Sequence, residues 1–242
     1  MLSDKCRNIL LNPFRLLFFA ALLISQGCGN KGTSESGLTE GVVEYEISYP
    51  NLSKDHPLSN LLPTSLKVYF KDNKTSTEMK SMGIMRTSFI GIPEDDEMYV
   101  LFRMFEDRLS STLSGSDIRM LHQHMGEIQI SMENDTKTIA GYKCKRATAR
   151  FQNGSMDDAA LYYTNEINVD NASWTLPYPT IPGFLMEYDM LQNDILMHFE
   201  AKKVLKTSVP DDVFEIPDDY KMVPLDVIQK KMADLSEAFQ NF

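Results

Sequence analysis

The chain has 242 residues, of which 43% are hydrophobic and 24% are charged, a composition typical of one or two globular domains. This composition excludes a disordered protein and a polytopic membrane protein. The 34 acidic residues outnumber the 24 basic ones and give a formal net charge of −10, which argues against nucleic acid as a partner, because an acidic chain gains nothing from releasing phosphate counterions.

Residues 1–27 predict a secretory signal. Three basic residues precede an uncharged apolar run at 16–24, which is too short to span a bilayer. The Gly27-Cys28 pair that follows resembles the lipobox of bacterial lipoproteins, in which the signal is cut before the cysteine and a diacylglycerol is attached to its sulfur. We therefore expect cleavage before Cys28 and lipidation of its thiol. The alternative is an ordinary secretory signal with an incidental cysteine.

The predicted mature chain is more acidic than its precursor. Cleavage would remove three basic residues and one acidic residue, leaving 21 basic and 33 acidic residues and a net charge of −12. Membrane attachment would then depend on the acyl chains of Cys28 rather than on charge. Gly29 follows the cysteine where an aspartate would favour the inner membrane, so by resemblance to bacterial sorting rules we expect an outer-membrane lipoprotein on the periplasmic face.

After the cysteine, residues 28–41 are rich in Gly, Ser and Thr and predict a flexible tether. Apolar and polar side chains then alternate over 43–49, a period of two that predicts a strand with one apolar face. The same alternation at 66–70, followed by the turn residues Asp72-Asn73 and a polar strand at 74–80, predicts a hairpin. Further strands are predicted at 84–90, 98–105, 126–132, 142–151, 159–164, 184–190 and 195–206, with turns at 93–96, 134–135, 153–154 and 192–194.

Short strands joined by tight turns predict an antiparallel sheet, because parallel strands need long crossovers. One short helix is predicted after Ser116-Asp117, and a second, amphipathic helix at the C-terminus over 224–242. The apolar stripe of this second helix consists of Leu225, Ile228, Met232, Leu235 and Phe239. Its charges are of mixed sign, which favours docking on its own domain over binding to a membrane. The residues thus predict a mainly β (α+β) domain over 42–223, followed by this helix.

Four ordered blocks resemble an uncharacterised family of secreted bacterial proteins, a domain of unknown function abundant in Bacteroidota. The blocks are 135–145 with its GYKCK motif, 161–164, 181–186, and the VFEIP motif at 213–217 followed by Tyr220. The resemblance implies a single strongly curved antiparallel sheet, a half-barrel, with a few helices packed on its concave side, similar to the periplasmic lipoprotein carrier and receptor proteins. It implies no enzyme activity and supplies no catalytic residues.

Cysteine, histidine and methionine patterns give no metal or redox site. Cys144 would be the one thiol left in a lipidated mature chain, and we expect it to be a buried packing residue. His122 and His124 point apart in a helix or loop, and a zinc site needs three or four converging ligands. The thioethers of Met79, Met82 and Met85 suit Cu(I), but they fall in strand and turn, where they would not converge. The motifs of common hydrolases, nucleotide binders and thiol oxidoreductases do not occur, so we predict a non-enzymatic protein without a cofactor.

The unusual feature of the composition is its 15 methionines, several of them in or beside apolar strands. Flexible, polarizable side chains adapt to irregular apolar ligands, so a curved sheet lined with them could hold a lipid or an acyl chain. The candidate ligand-binding residues are Met98, Phe102, Met104, Phe184, Met186, Met190 and Leu196. Two alternatives stay open. The methionines could form a core that holds no ligand, or the chain could be an interaction subunit of an outer-membrane assembly.

Overall fold

The computed structural model describes residues 37–53, 56, 59, 62–81, 83–192 and 194–240, with side chains up to residue 234. The predicted signal and Cys28 lie outside the described residues. Within the described ranges the chain forms twelve β-strands and two α-helices. The strands are β1 (Glu40–Ser48), β2 (Ser65–Lys71), β3 (Lys74–Ser81), β4 (Met85–Ile92), β5 (Glu97–Met104), β6 (Asp107–Ser114), β7 (Ile128–Ile139), β8 (Tyr142–Phe151), β9 (Ala159–Thr164), β10 (Phe184–Gln192), β11 (Ile195–Leu205) and β12 (Lys221–Met222), and the helices are α1 (Gly115–Leu121) and α2 (Leu225–Gln240).

All twelve strands belong to one sheet, in the order β12-β6-β5-β4-β3-β2-β1-β11-β10-β9-β8-β7. The predicted mainly β architecture is confirmed. Every neighbouring pair is antiparallel except β12 and β6, which run parallel over two residues each. The sheet is not closed, since β12 and β7 end the order without pairing with each other. Its strong curvature stays a prediction.

The β2–β3 hairpin has a clear local signal in its loop residues. Asp72 and Asn73 have φ values of 48° and 63°, so both central residues of the two-residue loop are left-handed. Such a loop matches the twist of the two flanking strands, and Asp and Asn tolerate it better than most residues. The predicted hairpin is confirmed.

In the middle of the chain one predicted turn was wrong, and one strand was not predicted. The turn predicted at 134–135 does not exist, because β7 continues through it to Ile139 with a register shift between Met132 and Thr136. This bulge accommodates the extra residues without ending the strand. The sequence analysis also missed β6, in which serine, threonine and charged residues weaken the apolar signal.

The apolar side chains of the sheet point to two faces. Directly opposed residues share a face, and one such line across β1 to β5 consists of Val43, Val68, Thr77, Phe89 and Val100. We call the face that carries this line the inner face. The largest apolar cluster lies on this face, and the connection between β9 and β10 adds buried side chains to it. A second cluster on the same face lies on β5 and β6 under the two helices.

The opposite face, the outer face, carries Ile90 and Leu101 among its buried residues. The connection between β11 and β12 covers them with Val209 and Phe214, which are 1% and 6% exposed. The Glu40 carboxylate accepts a hydrogen bond from the Val209 backbone N–H at 2.7 Å and so fixes the start of this connection. The VFEIP segment therefore plugs a core on the outer face.

The sheet domain begins before the predicted end of the tether. The Leu38 N–H donates to the Glu166 carbonyl at 2.7 Å, and the Asn168 N–H donates to the Leu38 carbonyl at 2.8 Å. These bonds, with the start of β1 at Glu40, correct the predicted tether of 28–41, whose last residues belong to the sheet domain. The Gly- and Ser-rich composition gave no sign that these residues pair with the sheet domain, because backbone pairing does not require apolar side chains.

Both helices pack against β6, the neighbour of the edge strand β12. Ser114, rather than the predicted Ser116, caps α1, with a capping box in which the Asp117 side chain accepts from the Ser114 N–H at 2.8 Å. In α2, Ile228 is 1% exposed and packs with Leu225 and Met232 in the second inner cluster. Leu235 and Phe239 of the predicted stripe lie beyond the described side chains. None of the helices in the described ranges is long and apolar enough to cross a membrane.

Candidate ligand groove

A groove of about 750 Å³ lies where the end of β6 meets the two helices. Its walls come from Ser111–Leu113 of β6, from one side of α1, and from the chain between Met222 and Leu225. We call it the β6–helix groove.

The path of the chain after β12 creates this space. The Val223 N–H donates to the Ser110 carbonyl at 2.8 Å and ends the parallel ladder, because Pro224 has no N–H to continue it. Helix α2 begins at the next residue and runs back along β6, where Lys231 forms a 2.6 Å ion pair with Asp107. The end of β6 is thereby left between α1 and the start of α2.

One backbone edge of β6 faces the groove. In an antiparallel ladder alternate residues turn their N–H and C=O groups to the same edge of the strand. The Ser110 carbonyl bonds to Val223 at that edge, and the Ser114 N–H bonds to the Asp117 carboxylate. Thr112 lies between them and presents its backbone groups in the same direction, at the wall of the groove.

Two exposed methionines dominate the groove surface. Met120 of α1 is 56% exposed and Met222 of β12 is 54% exposed. The Ser110 and Thr112 hydroxyls donate weak bonds to the Met222 sulfur at 3.8 Å each, which holds this side chain beside the strand. Exposed thioethers that line a concave surface suit an irregular apolar ligand, because they change shape at little cost.

The groove carries little charge. Asp117 is the one ionisable side chain among its lining residues. The Ser114 hydroxyl and the Ser114 backbone N–H, which hydrogen-bond to its carboxylate, hold its pKa below the usual value. The carboxylate is thereby committed to capping α1. The remaining lining is apolar or neutral, and favours an uncharged apolar ligand over an anionic one.

The seven sequence-predicted ligand residues are not in this groove, and they do not come together at one place in the sheet. Met98, Phe102 and Met104 of β5 pack in the second inner cluster, under the helices. Phe184, Met186 and Met190 of β10 pack in or against the large cluster, and Leu196 is half-buried on β11. Five strand spacings, roughly 24 Å along the sheet, separate β5 from β11. A ligand role for these residues stays a prediction. All of them except Leu196 pack in or against the apolar clusters.

Sequence reasoning missed Met120 and Met222 because neither lies in an apolar strand. Met120 occupies the exposed side of the short helix α1, and Met222 belongs to a two-residue strand. Their proximity depends on the pairing of β12 with β6, which no local sequence pattern predicts. The methionine count itself was the available signal.

The remaining candidate residues take structural positions. Cys144 is buried, as predicted, and burial raises the pKa of its thiol to about 11. The His122 imidazole contacts the Thr175 carbonyl at 3.1 Å, and the two ring nitrogens of His124 contact backbone carbonyls. No group of three or more His, Cys, Asp or Glu side chains is arranged to hold a metal ion in the described part of the chain. Met82 lies outside the described residues.

A separate polar pair lies on β10 and β11. The His198 Nδ1 is 2.7 Å from an Asp189 carboxylate oxygen, and the two residues stand opposite each other in the ladder. This hydrogen bond raises the pKa of His198 above its usual 6.5, against the opposing effect of partial burial. Glu187 and Glu200 add to the rise through their negative charges.

Comparison with known proteins gives a fold likeness. No family model and no curated protein matches this chain. Among solved structures, PNGF-II is similar to it with a TM-score of 0.51 and 13% identity, over 79% of this chain and 32% of PNGF-II. This likeness concerns the fold alone, and this chain spans about a third of the length of PNGF-II.

Weaker similarity extends to two other solved structures. An uncharacterized conserved protein from Thermus thermophilus has a TM-score of 0.44 and 9% identity, over 77% of this chain and 91% of that protein. A LolA superfamily protein from Nitrosomonas europaea has a TM-score of 0.32 and 10% identity, over 74% of this chain and 90% of that one.

Proposed function

We propose that the chain is a non-enzymatic binding module of the bacterial cell envelope that holds a lipid or acyl chain in the β6–helix groove. The observation that carries the proposal is a groove of about 750 Å³ with two exposed methionines on its surface. Its volume falls in the range of small-molecule sites, roughly 300–1,000 Å³. The proposal includes attachment through a lipid on Cys28 to the outer membrane, with the domain on the periplasmic side, and membership of the family that the GYKCK and VFEIP blocks resemble.

The lining favours an acyl chain over a polar metabolite. Leu113, Leu121 and Leu225 provide aliphatic walls, and the carboxylate of Asp117 is engaged in capping α1. A polar ligand would need several convergent donors and acceptors, whereas an acyl chain needs apolar area and a surface that adjusts to it.

A second candidate function is docking of a protein partner, as an interaction subunit of an outer-membrane assembly. The observation that favours it is the edge of β6 at Thr112, which continues the line along which β12 already pairs in parallel with Ser110. An extended segment of a partner could add to this edge and place apolar side chains beside Met120 and Met222.

One experiment separates the two functions. A photo-crosslinking residue in place of Met222 is activated in cells, and the same residue in place of Met132, 49% exposed on β7, is the control. The lipid proposal expects an adduct of acyl-lipid mass at position 222 and none at 132. A discrete protein adduct at 222 would favour the second function, and equal adducts at both positions would contradict both.

A further inference from the structure

Four basic residues stand side by side across strands β3 to β6 in this acidic chain. Lys80 is opposite Arg86, Arg86 is opposite Arg103, and Arg103 is opposite Arg108. Directly opposed side chains share one face of the sheet, so the four form a single row on the outer face, which we call the basic row. Like charges placed directly opposite each other destabilise a sheet, and an uninterrupted row of four is therefore not explained by folding.

Acidic neighbours neutralise the ends of the row in part. Glu78 lies 2.9 Å from Lys80 and 3.2 Å from Arg86, and Asp219 lies 3.0 Å from Arg108. The side chains of Lys80 and Arg86 nevertheless stay 55% and 42% exposed. Because these two basic side chains reach solvent, they can also contact other anions, although Glu78 itself is only 18% exposed.

Arg103 in the middle of the row has no carboxylate partner among the described residues, although Tyr220 lies close to Arg103 and Arg86. Arg103 is exposed, and within the described ranges no carboxylate lies at ion-pair distance from its guanidinium. Glu106 is the exposed acidic residue at the nearby turn, and Asp107 is already paired with Lys231 of α2. A planar guanidinium binds phosphate oxygens with two parallel hydrogen bonds, a geometry that a lysine cannot supply.

Two apolar side chains project at the turns just beyond the row. Phe105, two residues after Arg103, is 67% exposed, and Ile84, two residues before Arg86, is 38% exposed. Phe105 also has a φ of 51°, a left-handed conformation that is unfavourable for a bulky side chain. Neither stability nor turn geometry accounts for an exposed phenylalanine at this position.

We propose that this end of the sheet docks on an anionic lipid surface, with lipid phosphates against the basic row and with Phe105 and Ile84 in the boundary between headgroups and acyl chains. Aromatic and aliphatic side chains next to basic residues are the combination that interfacial binding uses. The net negative charge of the chain opposes a general attraction to such a surface, so the row also selects the orientation of docking. This contact is independent of both the lipid on Cys28 and the ligand of the groove.

Docking in this orientation positions the β6–helix groove. The turn at Phe105 leads directly into β6, and Thr112 lies five residues after Asp107 along that strand. At about 3.4 Å per residue, Thr112 lies roughly 14 Å along β6 from Arg108, the member of the basic row on this strand.

The test measures where position 105 lies relative to brominated acyl chains. A Phe105→Trp variant of the full chain is mixed with brominated phosphatidylcholine vesicles that either contain or lack phosphatidylglycerol, and the parent chain supplies the background of Trp174. Met132→Trp, at an exposed position on β7, is the matched control. We expect bromine quenching at position 105 with phosphatidylglycerol only, and none at position 132.

A charge-reversed variant completes the test. Arg86→Glu with Arg103→Glu in the Phe105→Trp background should lower the vesicle partition coefficient, by about fivefold for each positive charge removed. A melting temperature checks that the double variant is folded. If it is not folded, the single variant Arg103→Ser is tested in its place. Quenching that is absent on anionic vesicles, equal on neutral ones, equal at position 132, or unchanged by charge reversal would overturn the proposal.

Discussion

His198 forms a polar pair with Asp189 that should make the stability of the protein depend on pH. The raised pKa of His198 means that the charged imidazole is stabilised in the folded protein. The pair therefore contributes to stability fully below the unfolded-state pKa, and this contribution is lost as the pH rises through the higher folded-state pKa. Asp189→Asn should lower the melting temperature at about pH 6 and have less effect at about pH 8. A difference between parent and variant that does not depend on pH would contradict this assignment.

Cys144 is expected to be unreactive in the folded protein. Its side chain is 0% exposed and its pKa is raised to about 11 by burial, so little thiolate is present at neutral pH. A thiol reagent should label it slowly in native protein and at once in denaturant. Cys144→Ala should keep the fold and lower the free energy of unfolding by about 1–2 kcal/mol. Rapid labelling of the native protein would show that the strand opens.

Cys28 is expected to carry the membrane anchor. Cleavage before it and addition of acyl chains would give the membrane-extracted protein a mass that begins at residue 28 and includes the lipid. Intact mass spectrometry tests this directly, with Cys28→Ser as the control that should release the protein from the membrane. An unmodified mature protein in the soluble fraction would contradict the prediction.

Among the elements, helix α2 should depend more on Ile228 than on its neighbours for its attachment to the sheet. Ile228 is 1% exposed, whereas its neighbour Val227 is 37% exposed on the same helix. Ile228→Ala should lower the free energy of unfolding by about 2–5 kcal/mol, because it removes a buried side chain and leaves a cavity. Val227→Ala should change it by about 0.5 kcal/mol or less. Chemical denaturation measures both, and equal small effects would show that α2 is not docked as described.

Element prediction succeeded where the local pattern and the tertiary environment agree. Strands β8 and β9 have the predicted bounds of 142–151 and 159–164, since their alternation and flanking turns are local features. It failed at 134–135, where Asn and Asp occupy a bulge rather than a turn. Strand β7 continues through the bulge because it pairs with β8 both before and after it. The boundaries of a strand depend on its partner, which a single segment does not reveal.

At the scale of the whole molecule, the sequence could predict a sheet but not the neighbours within it. Strand β1 pairs with β2 on one side and with β11 on the other, so the two halves of the chain form one sheet. The groove likewise depends on β12 and β6, whose residues Met222 and Ser110 are 112 positions apart. The sequence analysis therefore named apolar strand residues that belong to cores and missed the two methionines at the groove.

The net charge of the chain does not predict which charges its surface presents at a given place. The chain is acidic overall, yet its fold collects Lys80, Arg86, Arg103 and Arg108 into one row beside two exposed apolar side chains. A lipid anchor, an apolar groove and an interfacial contact would together describe a protein that works close to a membrane.

Native mass spectrometry of the purified full chain shows whether the β6–helix groove holds an acyl chain. We expect the parent protein to carry a noncovalent mass of one lipid, and the Met120→Glu, Met222→Glu double variant to lose it. Met132→Glu, with a comparably exposed methionine on β7, should retain it. A parent protein that carries no lipid, or a double variant that carries as much lipid as the parent, would show that the groove does not hold an acyl chain.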